Sequence, residues 1–310
     1  MMGCPLDLFQ KSLKKRILRF LSLLFNTLPM LLLRRSNILL INASMNLTRN
    51  EVIHSNYGDD LNFFILKHIT NKYIFVYHQI LNVRRLPVYM CIGSIVNAQW
   101  MTQKNCIIWG SGARNNYDPI NGNPKKICAV RGKLTRDYFL KHKIDCPEIY
   151  GDPALLLPYI YKPQRKKIYK LGIVLHFRDR GNGIVNRIIQ ENGEEVKLID
   201  IVNYNDWKSI IDNIAECECV ASSSLHGLII SDAYKVPNVW IRFGDETFEG
   251  AFKYIDYFSG VQRKTTSPLQ MTISTTMEEI LEQSCHYVPI EFNATLFIHS
   301  CPFKIVYPIS

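Results

Sequence analysis

Short apolar runs recur along this chain, and between them the apolar positions fall at helical spacing. "NILLINAS" (37–44) reads as a short buried strand. "NYGDDLNFFILKHIT" (56–70) opens with turn and capping residues, and its Leu61, Phe64, Ile65 and Ile69 then line one face of a helix. "KYIFVYHQI", "VYMCIGSIV" (88–96) and "CIIWGSGARN" (106–115) are predicted strands, the last two running into glycine-containing turns. "KICAVRGKLTRDYFLKHK" (126–143) reads as a strand followed by a basic amphipathic helix. The polar stretch "PQRKKIYK" (163–170) then separates a second series. In that series "KLGIVLHFRD" (170–179), "EVKLIDI", "ECVAS" and "PNVWI" are strands. "YNDWKSIIDNIAEC" and the stretch from Ser224 onward are helices.

Strands alternating with helices predict an α/β fold of parallel sheets with helices on both faces. The expected architecture is two Rossmann-like domains facing a cleft. Residues 36–162 would form the first and 163–310 the second, after a basic N-terminal segment of residues 1–35.

That segment changes the picture of the surface. Residues 11–35 carry Lys11, Lys14, Lys15, Arg16, Arg19, Arg34 and Arg35 and no acid, within a chain of formal net charge +10. The apolar stretch from Ile17 to Leu33 is broken by Arg19, Asn26 and Pro29, which argues against a membrane-spanning helix. Two readings remain: a basic amphipathic helix making peripheral contact with an anionic membrane through residues 11–33, or a helix packed on the body of the protein. The basic balance does not itself imply nucleic acid, because no interleaved aromatic and basic motif of a nucleic-acid module is present. Nine cysteines are scattered without a CxxC pair, which fits reduced thiols in a cytoplasmic protein rather than a disulfide framework or zinc site. No HExxH, no Walker lysine loop and no clustered His/Cys ligands appear, so no metal is expected.

The candidate chemistry centres on "CVASSSLHGLIISDAYKVPNVWI" (219–241), where a strand ends in Ser222, Ser223, Ser224, Leu225 and His226 and a helix begins. In an open parallel sheet ligands sit beyond the carboxyl ends of the strands. The free N–H groups of a helix start favour an anion there, small serines let it approach, and His226 can serve as a cation for it or as a general acid. The plain alternative is that Ser222 caps the helix and His226 packs against the sheet. His176, at the end of "GIVLH", is at another strand end and is a base, a second ligand or a structural histidine. Arg178 is a phosphate or carboxylate clamp if the strand continues. Arg131 is either such a clamp or a buried tie between strand and helix. Asp59 and Asn62 are placed to hold hydroxyls, or Asp59 serves only the helix N-terminus. Gly110 and Ser111 belong to a glycine turn where backbone can approach a ligand, but the turn lacks the third glycine of a dinucleotide fingerprint. Gly151 and Asp152 read as a structural turn. Lys253 and Asp256 either close over the cleft or are surface charges.

Taken in order, "NYGDDLN", "GSI", "WGSG", "VRGKLTRDYF", "YGDPALLLP", "LGIVLHFRD", "SSSLHGLIISDAYKVPNVW" and "FKYIDYF" resemble the polysaccharide pyruvyl transferase family over roughly residues 50–260. The resemblance implies a GT-B-like fold. It also implies transfer of pyruvate from phosphoenolpyruvate to a sugar diol as a cyclic ketal, with phosphoenolpyruvate as co-substrate and no cofactor. The acceptor would be a saccharide, free or lipid-linked, and the place of work the cytoplasm, at the inner face of the membrane if the N-terminal helix binds there. His226 would then be the general acid or a donor contact, His176 a base or donor ligand, and Ser222 to Leu225, Arg178 and Arg131 the donor site. Asp59, Asn62, Gly110 and Ser111 would face the acceptor. Some family members carry arginine at the position of Ser224, so another cation must hold the donor here, or the serines and the helix end must do more. A nucleotide-sugar glycosyltransferase shares these features and is the alternative reading. A non-enzymatic membrane assembly factor would use the N-terminal helix but leave the cleft motifs without a role.

Overall fold

The computed structural model describes residues 5–48, 51–53, 56–97, 105–120, 122–244, 248–264 and 267–306, with backbone only for 5–15 and 248–249. The side chains of Lys11, Lys14 and Lys15 therefore lie outside the described residues.

Among these residues, parallel strands form two five-stranded sheets. The first takes its strands from Ile38–Ile41, Tyr73–Val76, Val88–Met90, Cys106–Trp109 and Lys126–Ala129. Ile38–Ile41 pairs on one side with Tyr73–Val76 and on the other with Val88–Met90, and the remaining two strands follow outward. The second uses Tyr169–Val174, Val196–Ile199, Cys217–Ser222, Asn238–Phe243 and Leu269–Met271. It repeats the arrangement: Tyr169–Val174 lies between Val196–Ile199 and Cys217–Ser222, with the last two strands outward. In both sheets the winding direction reverses between the first and third strands. The carboxyl end of that reversal is where a doubly wound sheet opens a crevice.

The central strands are buried on both faces and are continuously apolar, as "ILLI" at Ile38–Ile41 illustrates. A single apolar cluster runs through both sheets, joining Leu39 and Ile41 to Val174, Ile199 and Val220. The helix Tyr57–Thr70 of the first half docks directly on the second. Tyr57 donates from its backbone N–H to the Ile201 carbonyl at 3.0 Å and from its hydroxyl to the Trp207 carbonyl at 2.6 Å. Phe64 stacks on Trp207 with ring centroids 5.7 Å apart.

The chain then returns. Phe297, in the helix Ala294–His299, stacks on Trp109 of the first sheet at 4.8 Å, and Phe303 packs edge-on against both Trp109 and Tyr89. Residues 294–306, which the sequence boundary assigns to the second half, are thus seated against the first sheet.

The N-terminal helix runs Pro5–Leu32, with Pro29 inside it. Asn26 donates to the Gln79 carbonyl, the Thr27 hydroxyl accepts from Leu81 N–H, and Met30 is buried. Among the described residues no helix is long and apolar enough to cross a membrane. Cys217 and Cys219 are buried, with exposed Glu218 between them, and Cys285 is exposed.

Candidate active site

A cleft of about 690 Å³ is lined by residues beyond the carboxyl ends of strands in both sheets. Its second-sheet wall begins where Tyr169–Val174 and Cys217–Ser222 part. Ser223 N–H donates to the Val174 carbonyl at 3.1 Å and His176 N–H to Ser223 Oγ at 3.0 Å, so the two strand ends are stitched together at the reversal. Ser223 Oγ donates to Asp179 at 2.6 Å, and the Tyr254 hydroxyl donates to the Ser223 carbonyl. Tyr254 in turn stacks on Trp240 at 4.6 Å, making an aromatic floor.

Ser224 occupies the N-cap position of the helix Leu225–Ala233, which places His226 in the first turn. Gly227 sets the helix's approach, because a Cβ there would lie 2.2 Å from Ser222 Oγ and 2.8 Å from Val174. The first-turn N–H groups of this helix have no intrahelical acceptors. They and the dipole face the cleft together with Arg114, Arg178, Arg242 and Lys253. Against these cations the cleft carries the acids Asp59, Asp118 and Asp179. Burial raises Asp59 to about 7, which weakens its negative charge near neutrality, so the balance favours an anionic ligand.

His226 lies over Gly58, whose added Cβ would fall 1.9 Å from the ring Nδ1. Nε2 is buried, makes no hydrogen bond, and sits 3.9 Å from Asp152 Oδ2. Burial, then the charges of Arg131 and Lys253, pull the imidazole down to about 3, so it is neutral at physiological pH. Either expected role of His226, cation or general acid, therefore needs a negative charge beside the ring to raise it. Burial likewise pushes Asp152 up to about 7, with the nearby Asp59 adding to the shift while Ala154 N–H and Arg131 oppose it. Asp59 is itself raised to about 7 by burial and Asp60, against the Asn56 hydrogen bond and Lys253. His176 is lowered to about 4 by burial, then by Lys253 and Arg178. Two carboxyls near neutrality beside a neutral imidazole form a constellation that can exchange protons at physiological pH.

The structure brings Asp59, Arg131, His176, Arg178, Ser223, Ser224, Leu225 and His226 to one cleft. Four other expected contacts are structural. Ser222 is fully buried, and its Oγ accepts from Ser224 N–H at 3.0 Å while lying 3.0 Å from the Val174 carbonyl. Asn62 points inward, pairing with both the N–H and carbonyl of Ile92 and so fixing the Gly93–Ile95 rim. Gly110 takes a φ of +96° and packs on Pro153, where a Cβ would fall 2.4 Å from the ring. Ser111 is fully buried, its carbonyl accepting from Arg131 N–H.

Arg131 reaches the cleft wall but is committed to the protein. Its guanidinium donates to Asp256 at 2.9 Å, Ser94 Oγ at 2.7 Å and the Ala113 carbonyl at 2.9 Å. It contributes a fixed positive field rather than a free clamp. Asp256, which sequence left open as a surface charge, is fully buried and also accepts from Thr135 N–H and hydroxyl. Arg178 does not continue its strand, because Phe177–Asp179 turns in a 3-10 helix and exposes it at the cleft mouth. Sequence reasoning missed Asp152. It caps the turn after residue 150 by accepting from Ala154 N–H, a local role that hides its position behind His226.

The polysaccharide pyruvyl transferase family model matches residues 54–244. An uncharacterized protein of Acanthamoeba polyphaga mimivirus is 29% identical over 248 residues, covering 78% of this chain and 83% of that protein. The succinoglycan biosynthesis protein ExoV of Rhizobium meliloti (strain 1021) is 27% identical over 237 residues, covering 74% of this chain and 68% of ExoV. The matched span contains His226, His176, Asp59 and Asp152 and most of the cleft around them, and the chain belongs to the polysaccharide pyruvyl transferase family.

Proposed function

We propose that this chain transfers the three-carbon unit of phosphoenolpyruvate onto two hydroxyls of a saccharide, forming a pyruvate ketal and releasing phosphate. The two sheets then act as a GT-B-like pair, with residues 36–162 facing the acceptor and 163–310 the donor. The observation that carries the reading is the pairing of a cation-rich helix start with His226 and Asp59 at one cleft, with Asp152 3.9 Å behind the imidazole. A trianionic donor suits the cations, and a reaction that moves protons onto carbon and off hydroxyls needs the rest.

In this mechanism the donor's carboxylate and phosphate lie against the Leu225–Ala233 helix start, Arg178 and Lys253, which take the place of an arginine at position 224. The donor's negative charge favours the charged form of His226, so the acid becomes armed when donor arrives. Its proton goes to C3 as the C2–C3 double bond opens, leaving C2 oxocarbenium-like. The first acceptor oxygen, hydrogen-bonded to Asp59, bonds to C2 and its proton passes to a phosphate oxygen of the donor. The C2–O bond to phosphate breaks with its electron pair on phosphate, which leaves with that proton. The second hydroxyl closes the ring and its proton restores His226. Asp152 does not line the cleft; it is a positioning residue acting through the imidazole. Fixed charges aimed at the leaving phosphate stabilise the transition state without reorganising.

The test is incubation with phosphoenolpyruvate and candidate glycans. A glycan mass gain of one pyruvic acid less one water, with equimolar phosphate, supports the proposal. Release of UDP from a UDP-sugar, with phosphoenolpyruvate untouched, replaces it by the glycosyltransferase reading.

A further inference from the structure

The N-terminal helix leaves an apolar face with no partner among the described residues. Ile17, Leu18, Leu21, Phe25, Leu28 and Leu32 are all at least half exposed, Phe25 at 75% and Leu32 at 89%. At 3.6 residues per turn these six fall within an arc of about 100°. Phe20, Leu24 and Leu31, also exposed, widen that arc to about 160° on one side. The residues that meet the body, Leu23, Asn26, Thr27, Met30 and Leu33, occupy the opposite side. Residues 16–21 are exposed throughout, so the helix projects beyond the body it is tied to. A stripe this wide ordinarily faces a core. Here it faces outward over a helix length of about 24 Å.

We propose that this face lies in the surface of an anionic lipid bilayer, as an in-plane helix. Charge decides the occupant. Arg16 and Arg19 stand on the side of the helix away from the apolar arc, exposed, and Arg34 and Arg35 follow its end, also exposed. A helix lying with its apolar arc toward the acyl chains sets such residues at the level of lipid headgroups, where each adds attraction to anionic lipid. A second copy of the chain meeting this face would bring the two sets of arginines together with no acid between residues 8 and 48 to offset them. Crossing the bilayer is disfavoured by Arg19 within the apolar run. The inference concerns attachment only and does not rest on the pyruvyl-transfer reading.

The experiment is flotation of the full chain with phosphatidylcholine vesicles, with and without a one-third share of phosphatidylglycerol. The chain should float with the anionic vesicles and far less with the neutral ones. The combined substitution Leu21→Asp, Phe25→Asp and Leu28→Asp should lower partition by at least about tenfold, since it puts three charges on the inserted face. Arg16→Glu with Arg19→Glu should lower it by about tenfold or more, a deficit that shrinks in high salt. Unchanged melting midpoints show that both variants remain folded. Failure of the native chain to float with anionic vesicles overturns the proposal, as does equal flotation with neutral ones. It is also overturned if the chain forms a lipid-free dimer that the triple aspartate variant splits.

Discussion

The imidazole of His226 lies directly on the backbone of Gly58, so closely that a methyl group on that glycine would occupy the position of the ring. Gly58 comes from the helix start of the first half and His226 from a helix start of the second. The ring therefore rests on the opposite wall of the cleft. Gly58→Ala should displace it by an ångström or more and lower phosphoenolpyruvate-dependent phosphate release by about 10²-fold, because catalytic groups tolerate little misplacement. His226→Ala should cost a similar factor or more. Steady-state phosphate assays check both, and a Gly58→Ala rate near that of the native chain would remove His226 from its assigned place.

Donor binding should take up protons. His226, Asp152 and Asp59 lie near 3, 7 and 7, and the arrival of negative charge raises all three. At pH 7.5 to 8 the complex then holds more protons than its separated parts. Calorimetry of phosphoenolpyruvate binding in buffers of different ionisation enthalpy measures this directly. No net uptake would mean that the donor binds elsewhere.

The contribution of Asp59 and Asp152 to stability should fall as pH rises from about 4 to about 7, against an opposite contribution from His176 and His226, which the unfolded chain protonates more readily. A carboxyl raised from 3.8 to about 7 keeps its proton in the folded state after the unfolded chain has lost it. At these two groups the unfolded state then binds fewer protons, and their contribution to the slope of unfolding free energy against pH is negative across that window. Asp152→Asn removes one such group. It should raise the melting midpoint at pH 8 relative to the native chain, flatten the decline, and still slow turnover. Differential scanning calorimetry at pH 5 and pH 8 decides this; a parallel shift at both would contradict it.

Arg131 and Asp256 form a fully buried pair between residues 125 positions apart. Truncating one partner strands the other's charge, so Asp256→Ala should destabilise the fold by about 3–5 kcal/mol. Urea unfolding checks the size of the effect. A loss below about 1 kcal/mol would show that water reaches Arg131 in place of the carboxylate.

The positions of the elements were legible because each strand is a short apolar run and each helix carries its own cap or amphipathic face. Asp206, for example, caps Trp207–Ala215 as its sequence suggests. The strand-end rule likewise found His176 and His226. What sequence did not carry was which way adjacent side chains turn and what meets them from afar. Ser222 and Ser223 are neighbours of one type, yet the first hydroxyl closes the strand end internally while the second lines the cleft. Asp152 before a proline has the local signature of any turn cap. Its raised protonation range comes from burial and from Asp59, 93 positions away in sequence, which no local pattern reports.

The return of residues 294–306 to Trp109 bears on how the molecule is made. The indole N–H of Trp109 donates to the Phe297 carbonyl, a partner synthesised 188 residues later. A growing chain can assemble the strands Ile38–Ile41 to Lys126–Ala129 early, but one face of that unit stays uncovered, its tryptophan open to water or to a chaperone, until residues 294–306 leave the ribosome. Completion of the first half thus waits for a segment made after the whole of the second sheet.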